Sequence, residues 1–371
     1  MAAACGPAAE GGLRPSSTTT APRRAAARAP AEPRPFIENA GRVDWYRGQA
    51  HELIAYDSIA DEKSKDLEVY TAAADASGRR CVTCEAGAIS KGFVGQPAWH
   101  PDGEHIVIQA ENGNSEHRFY SHVSFGIDND LWLIRRDGSE AQRIWTSKDK
   151  HGALHPHFSE DGRKLIFAER VPTGEKIHRL LLRRLAPGGE NQWTGWRIHV
   201  ADVDLSRKSE GILSNHRTME PNGPGFYETH GFAPDGGITY SFTPGGEAYV
   251  ADSYRADLDG SHVRNLTDGD APGTWNEHAQ YSPDGSRLAF ISSRMDRSLR
   301  FPKSRPKDLR TELFVRLRGG PARQVTDMNG RLNGKVVVSD FDWDRRGRRI
   351  VYQVACLDGS RDPALWMIGL D

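Results

Sequence analysis

Four cysteines in 371 residues are too few for the disulfide framework of a small secreted domain. No apolar run reaches the roughly 18 to 20 residues that a helical bilayer crossing needs, so a helical membrane protein is not expected. Charge of either sign is also scarce in excess: 49 Lys and Arg stand against 50 Asp and Glu, a formal net charge of -1. Such a chain has no field to hold a polyanion by neutralising phosphates, and nucleic acid is not an expected partner. What it has in quantity is 38 Gly, 21 Pro and 9 Trp, at a mean hydropathy of -0.63. This is the composition of a turn-rich globular protein long enough to bury a large core.

The composition changes near residue 36. Residues 1–35 are mostly Ala, Pro, Gly, Ser, Thr and Arg, without hydrophobic periodicity, and are expected to be a disordered tail. Arg14, Arg23, Arg24, Arg28 and Arg34 face only Glu10 and Glu32 there. Within the tail, Ala2-Ala3-Ala4-Cys5-Gly6 resembles the end of a bacterial lipoprotein signal, in which small residues precede the cysteine that is acylated. The apolar segment of such a signal is missing. Three readings stay open: a trimmed lipoprotein start with a lipid anchor at Cys5 and a flexible tether, an ordinary tail cysteine, and an Arg-rich organelle presequence.

Beyond the tail one phrase recurs: an aromatic, two or three residues, a tight Asp-Gly turn and an apolar alternating run. Trp99-His100-Pro101-Asp102-Gly103 leads into Ile106 to Gln109, and Phe158-Ser159-Glu160-Asp161-Gly162 into Leu165 to Ala168. Phe232-Ala233-Pro234-Asp235-Gly236 precedes Ile238 to Phe242, and Tyr281-Ser282-Pro283-Asp284-Gly285 precedes Leu288 to Ile291. A fifth copy, Trp343 to Gly347, has its turn reduced to Arg346-Gly347, and a weaker sixth runs from Trp45 to Gly48. Glycine supplies the positive φ that such turns require, so each copy reads as a β-hairpin. A third and a fourth run follow, as in Asp130 to Ile134 and Arg143 to Thr146. Four antiparallel strands per unit, with turns 49 to 74 residues apart, predict an all-β fold: a six-bladed β-propeller of four-stranded blades. The last unit stops at its third strand, Ala364 to Gly369. Pro35-Phe36-Ile37-Glu38 is the expected donor of the fourth, closing the ring and leaving no open sheet edge.

Over residues 36–371 these Pro-Asp-Gly turns resemble those of the TolB-like β-propellers. The resemblance implies a periplasmic or cell-envelope protein, often a scaffold that binds a protein or glycan ligand, here expected as a monomer. The same architecture also carries sugar lyases and the gating domains of prolyl peptidases. A peptidase needs a Gly-x-Ser-x-Gly elbow, which these residues lack.

In a propeller the first strand of each blade lines a central channel. The segments 112–129, 171–195, 214–228, 268–276 and 295–311 read as long loops on one face, the expected binding face. Six residues before each turn the channel mouth collects Arg42, Gln96, His155, Thr229, His278 and Asp340; two further on lie Asp44, Ala98, His157, Gly231, Gln280 and Asp342. His230 and Glu277 sit beside them. Imidazoles and carboxylates converging from several strands suit a divalent metal (Mn, Zn or Ca) or a general base poised near neutral pH; wet, polar channel histidines that merely hold water are the plainer reading. His155, His157, His278, Gln280 and Asp340 are the candidate ligands. His155-Pro156-His157 also resembles the metal-binding His-Pro-His of oligogalacturonate lyases, though the glutamine which that family carries three residues earlier is Gly152 here and that family has seven blades. The resemblance implies a second function, a metal-dependent lyase that abstracts a proton beside a uronate carboxylate, with His230 or Tyr227 as the base. Arg42 is the rival to a metal, an electrostatic plug between Asp340 and Asp342. Cys81-Val82-Thr83-Cys84 reads as a local disulfide or two free thiols ahead of a redox pair or half a zinc site.

Overall fold

The computed structural model describes residues 32–49, 51–61, 63–177, 186–245, 250–267, 273–296, 298–299, 308–317, 319–332, 334–357, 359 and 362–370. The disordered tail and Cys5 anchor expected for the N-terminus therefore fall almost wholly outside the described residues. In chain order the strands are β1 (Arg34–Glu38), β2 (Ala40–Trp45), β3 (Leu53–Ile59), β4 (Leu67–Ala73), β5 (Arg80–Cys81), β6 (Val94–Trp99), β7 (His105–Glu111) and β8 (Asn129–Arg135). They continue as β9 (Ala141–Trp145), β10 (Gly152–Phe158), β11 (Lys164–Arg170), β12 (Trp196–Val203), β13 (Leu213–Met219), β14 (Gly225–Phe232), β15 (Ile238–Pro244) and β16 (Asp252–Ala256). The last are β17 (Arg264–Asn265), β18 (Asn276–Tyr281), β19 (Arg287–Ser292), β20 (Glu312–Leu317), β21 (Ala322–Gln324), β22 (Val337–Trp343), β23 (Arg349–Ala355) and β24 (Ala364–Gly369).

All pairings between these strands are antiparallel. Four four-stranded sheets have the orders β2-β3-β4-β5, β6-β7-β8-β9, β18-β19-β20-β21 and β1-β24-β23-β22. The other eight strands form β10-β11-β12-β13 and β14-β15-β16-β17, joined through the single pair Trp196↔Gly225. The repeated antiparallel four-stranded sheet is the architecture of a β-propeller. The innermost strands β2, β6, β10, β14, β18 and β22 neighbour one another in succession, and β22 also lies against β2.

The turn chemistry explains the hairpins. Gly103, Gly162, Gly236, Gly285 and Gly347 have φ of 72°, 70°, 82°, 66° and 62°, and each donates its N–H to the carbonyl three residues back. In four copies the turn aspartate accepts an N–H two residues on, as Asp102 does from Glu104 at 2.8 Å. Where the fifth copy has Arg346 instead, Asp344 takes over, its Oδ1 accepting from Arg348 and Arg349 N–H at 2.7 and 3.0 Å. The aromatics three residues before the turns pack between adjacent sheets: Trp45, Trp99 and Trp343 are buried, while Phe158, Phe232 and Tyr281 are half-buried against the same layers.

One expected loop is largely strand. Within 214–228, β13 takes Leu213–Met219 and β14 begins at Gly225, because β12 offers an unpaired edge that the chain satisfies before crossing to the next unit.

The N-terminal strand completes the last sheet. β1 pairs with β24 through Arg34↔Met367, Pro35↔Trp366, Ile37↔Leu365 and Glu38↔Ala364, and Phe36 and Ile37 pack against the cluster containing Val351, Leu365 and Met367. Removing residues 1–31 is expected to leave the melting temperature nearly unchanged. Removing 1–39 uncovers the β24 edge and its apolar face, and should lower it by about 5 °C or more; thermal denaturation of the two truncations checks this.

Candidate metal centre

Every innermost strand breaks its pairing register once. The irregularities fall between Ala40 and Val43, Gly95 and Ala98, Leu154 and His157, Thr229 and Gly231, Glu277 and Gln280, and Ser339 and Phe341. A bulge adds a residue that no partner opposes and re-aims its side chain. The residues so inserted include Arg42, Gln96, His155, His230, His278 and Asp340. Gln96, His155 and His278 sit at φ of 50°, 52° and 55°, a left-handed backbone costing on the order of 1–3 kcal/mol at a non-glycine residue.

Each of these three amides is held by the second strand of a preceding sheet unit. Asp57 Oδ2 accepts from Gln96 N at 3.1 Å, Gln109 Oε1 from His155 N at 2.8 Å, and Ser241 Oγ from His278 N at 3.2 Å. In β14 the bulge comes one residue later, with Gly231 taking φ of 111°. His230 therefore occupies the place that a uniform register assigns to Thr229, whose hydroxyl turns to donate to the His155 carbonyl at 2.5 Å.

The result is a buried cluster in which His155, His230 and His278 each present a nitrogen within 4.8 Å of the others. Ring centroids are 5.5 Å apart for His155–His230, 5.3 Å for His155–His278 and 4.3 Å for His230–His278. Asp340 Oδ1 lies 3.3 Å from His278 Nε2 and 4.0 Å from His155 Nδ1. Gln96 Nε2 donates to His155 Nε2 at 3.2 Å. Glu228 Oε1 is 3.7 Å from His155 Nε2, and Glu277 Oε1 is 3.5 Å from His278 Nδ1. Arg42 stands beside the cluster, 3.4 Å from Asp57 Oδ1 and bonded to Ser124 Oγ; Ser124 Oγ is in turn 3.1 Å from His122 Nδ1. The segment between β7 and β8 thus brings His122 to the site.

Burial alone would strip these groups of charge, and proximity decides which keep it. For His278 burial disfavours the cation, but Asp340 and Glu277 outweigh it and hold its pKa well above the usual imidazole value. Asp340, raised by burial, is carried well below the carboxylate range by His278. His155 and His230 are pushed well down by burial, helped by the charge on His278. Glu228 is pushed up to about 8 by burial and by Glu277. By themselves these residues therefore make one imidazolium–carboxylate pair, two neutral imidazoles and a protonated carboxyl.

This donor set fits a divalent metal. His230 Nε2 is 2.8 Å from Ser241 Oγ, and with Nε2–H donating there the Nδ1 lone pair is free; that atom, like both nitrogens of His278, is buried without a well-aligned hydrogen bond among the described residues. Serine behind a ligating histidine is the outer support that fixes its tautomer. Neutral imidazoles and carboxylates suit Zn²⁺ or Mn²⁺.

The structure brings together His155, His278, Asp340 and His230, with Arg42 alongside. It does not bring in three other candidates. His157 lies below the cluster with its pKa lowered to about 4 by burial and by Arg47, and its Nε2 meets no partner. Gln280 donates its Nε2 to the Phe341 carbonyl at 3.0 Å and leaves its Oε1 buried without a hydrogen-bond partner among the described residues. Tyr227 faces the core, its ring tilted against those of Tyr240 and Phe242 and its hydroxyl donating to the Gly223 carbonyl at 2.7 Å. The parity of a strand sends Tyr227 and Glu228 to opposite faces, so the acid–base group that β14 offers is Glu228. Nor does Arg42 separate Asp340 from Asp342: Asp340 pairs with His278, while Asp342 is bonded to Arg47 and couples to Asp44.

Two measurements test this charge distribution. Because His278 is cationic in the absence of an ion, an ion ligated by it must displace a proton; Zn²⁺ affinity should rise with pH through the ordinary imidazole range and above it, with proton release visible in calorimetry across buffers. Glu228 binds its proton more tightly folded than unfolded, so its contribution to stability falls as pH rises from the ordinary carboxylate range toward 8. Glu228→Gln should lack that fall and melt above the wild type at pH 8 to 9. No protein-family model matches the chain, and no curated protein does. Among solved structures it is similar to TolB from Acinetobacter baumannii, at 16% identity and a TM-score of 0.49, over 82% of this chain and 60% of that one. It is also similar to a TolB structure from Agrobacterium tumefaciens, at 17% identity and a TM-score of 0.46, over 79% and 94% of the two chains. A third likeness is to an oligogalacturonate lyase in complex with manganese, at 12% identity and a TM-score of 0.48, over 93% and 99%. These are β-propeller proteins, and the chain's own four-stranded sheets carry the same assignment here.

Proposed function

We propose that the chain is a six-bladed, ring-closed propeller of the bacterial cell envelope, a monomer that holds a divalent metal at its channel mouth and binds a protein or glycan there. The observation that carries it is the set of three buried histidines with nitrogens within 4.8 Å of one another, each delivered by a bulge. Six sheet units, the β1–β24 pairing and the apposition of β2 and β22 support the closed ring. The envelope location is supported by the Cys81–Cys84 disulfide, a bond that persists in oxidising compartments.

A second reading, a metal-dependent lyase acting on uronate oligosaccharides, is favoured by Glu228. Its pKa of about 8 suits proton exchange near neutral pH, 3.7 Å from His155. A bound ion would supply positive charge to the substrate carboxylate. Arg42 is placed to add to that charge.

Metal analysis of the purified protein, with and without chelator, tests the first reading. His155→Ala, His230→Ala or His278→Ala should each lose most bound metal and the rise in melting temperature with Mn²⁺, Zn²⁺ or Ca²⁺, with the fold retained. Trp99→Ala should instead cost roughly 3 kcal/mol or more of packing and keep the metal affinity of what remains folded. Absence of both metal and any thermal shift overturns the metal centre; uronate oligosaccharides that are bound but not cleaved leave the binding scaffold and remove the lyase.

A further inference from the structure

Cys81 and Cys84 are joined by a disulfide at the end of β5, the outermost strand of its sheet and remote in the fold from the channel. The bond closes a loop of four residues, too short to constrain the unfolded chain as long-range disulfides do. Its surroundings are built for chemistry. Cys84 is exposed and Cys81 half-buried. The Cys84 N–H lies 3.1 Å from Cys81 Sγ, a donor placed to receive a thiolate. Beneath the pair sits Glu68, 5% exposed on β4, with a carboxylate oxygen within 4.8 Å of both sulfurs. Thr83 Oγ donates to Glu68, and Lys91 Nζ bridges Glu68 Oε1 at 2.5 Å and the Cys84 carbonyl at 3.1 Å. A disulfide kept only to fasten a turn needs no buried carboxylate.

We propose that Cys81–Cys84 is a reversible redox centre that exchanges with exposed thiols and disulfides, Glu68 acting as its proton shuttle. In the reducing direction a thiol yields its proton to Glu68 and its thiolate attacks Cys84 Sγ. A bond forms between the two sulfurs as the Cys81–Cys84 bond breaks. The leaving electron pair settles on Cys81 Sγ beside the Cys84 N–H, and Glu68 returns the proton to it. A second thiol attacks the incoming sulfur of the mixed disulfide and releases Cys84, which takes up that thiol's proton. Two thiols become one disulfide, and the protein disulfide becomes a dithiol. The reverse sequence reduces an external disulfide to two thiols and re-forms the protein disulfide, with Cys84 as the entering nucleophile and Cys81 as the resolving one.

The test uses the full chain, without denaturant, in graded ratios of reduced to oxidised glutathione, and in parallel with a disulfide-bonded peptide, followed by alkylation. Weighing the peptide that carries residues 81 and 84 keeps Cys5 and Cys356 out of the readout. A reversible transition is expected while the protein stays folded, and exchange with glutathione or with the peptide identifies which source of thiols the centre accepts. Glu68→Gln should slow reduction about tenfold near neutral pH and flatten its pH dependence. In Cys81→Ser the remaining Cys84 should form a mixed disulfide about tenfold faster than Cys81 does in Cys84→Ser; this comparison stands even if Glu68→Gln misfolds. Reduction only after unfolding, equal reactivity of the two cysteines, or stoichiometric capture of Zn²⁺ by the reduced protein through Glu68, Cys81 and Cys84 each overturns the proposal.

Discussion

A single contact recurs through the channel: a polar side chain on the second strand of one sheet unit captures the N–H of a bulged residue on the innermost strand of the next unit to carry one. Asp57 with Gln96, Gln109 with His155 and Ser241 with His278 are its three instances. The contact links neighbouring sheets where the hydrophobic layers between them do not reach. It also offsets the cost of a left-handed backbone at Gln96, His155 and His278. Without it these residues would relax to extended geometry, and the period of two would turn their side chains out of the channel. The candidate site is thus a product of inter-sheet hydrogen bonding, and Ser241 serves twice, anchoring His278 through its backbone and His230 through its ring.

Gathering charge among buried strands sets the second constraint. Unpaired ions cannot stay ionised away from water, so the residues sort into local settlements. His278 with Asp340 forms one, Arg47 with Asp342 and Asp44 another, and Arg42 with Asp57 a third. Glu228, next to Glu277, keeps its proton instead. What is left over is two neutral imidazoles beside a carboxylate, an arrangement with spare lone pairs rather than spare charge, which is the condition under which a divalent cation enters most readily. The segment between β7 and β8 then adds Ser124, bonded to Arg42, and His122 beside it, so the site is divided between the strands and a connection.

The fold was legible because its signal is local. Each unit announces itself by an aromatic, an Asp-Gly turn and an alternating run, and even the copy lacking its turn aspartate forms the same hairpin, since Gly347 supplies the positive φ and Asp344 accepts the free amides. The short last unit likewise pointed to β1, whose pairing with β24 satisfies an edge that would otherwise stand open. Counting back from the turns also reaches His155, His278 and Asp340, which the structure brings near one another, because five of the six copies share the same spacing between bulge and turn.

The same count misplaced what depends on one unit's departure from the repeat. A uniform count places Thr229 in the channel and passes over Glu228, since nothing in the local pattern fixes on which residue a bulge falls. Gly231, free to take φ of 111°, shifts it by one in β14 and turns His230 inward. Tyr227 is a candidate by chemistry alone, and packing holds it in the core. Turns and the strands beside them follow from residues adjacent in the chain and can be read from it directly. Which imidazole carries a proton, which arginine meets which aspartate, and whether Glu68 lies under Cys81 and Cys84 depend instead on side chains that folding brings together from distant strands, at distances that hydrogen bonds resolve to tenths of an ångström.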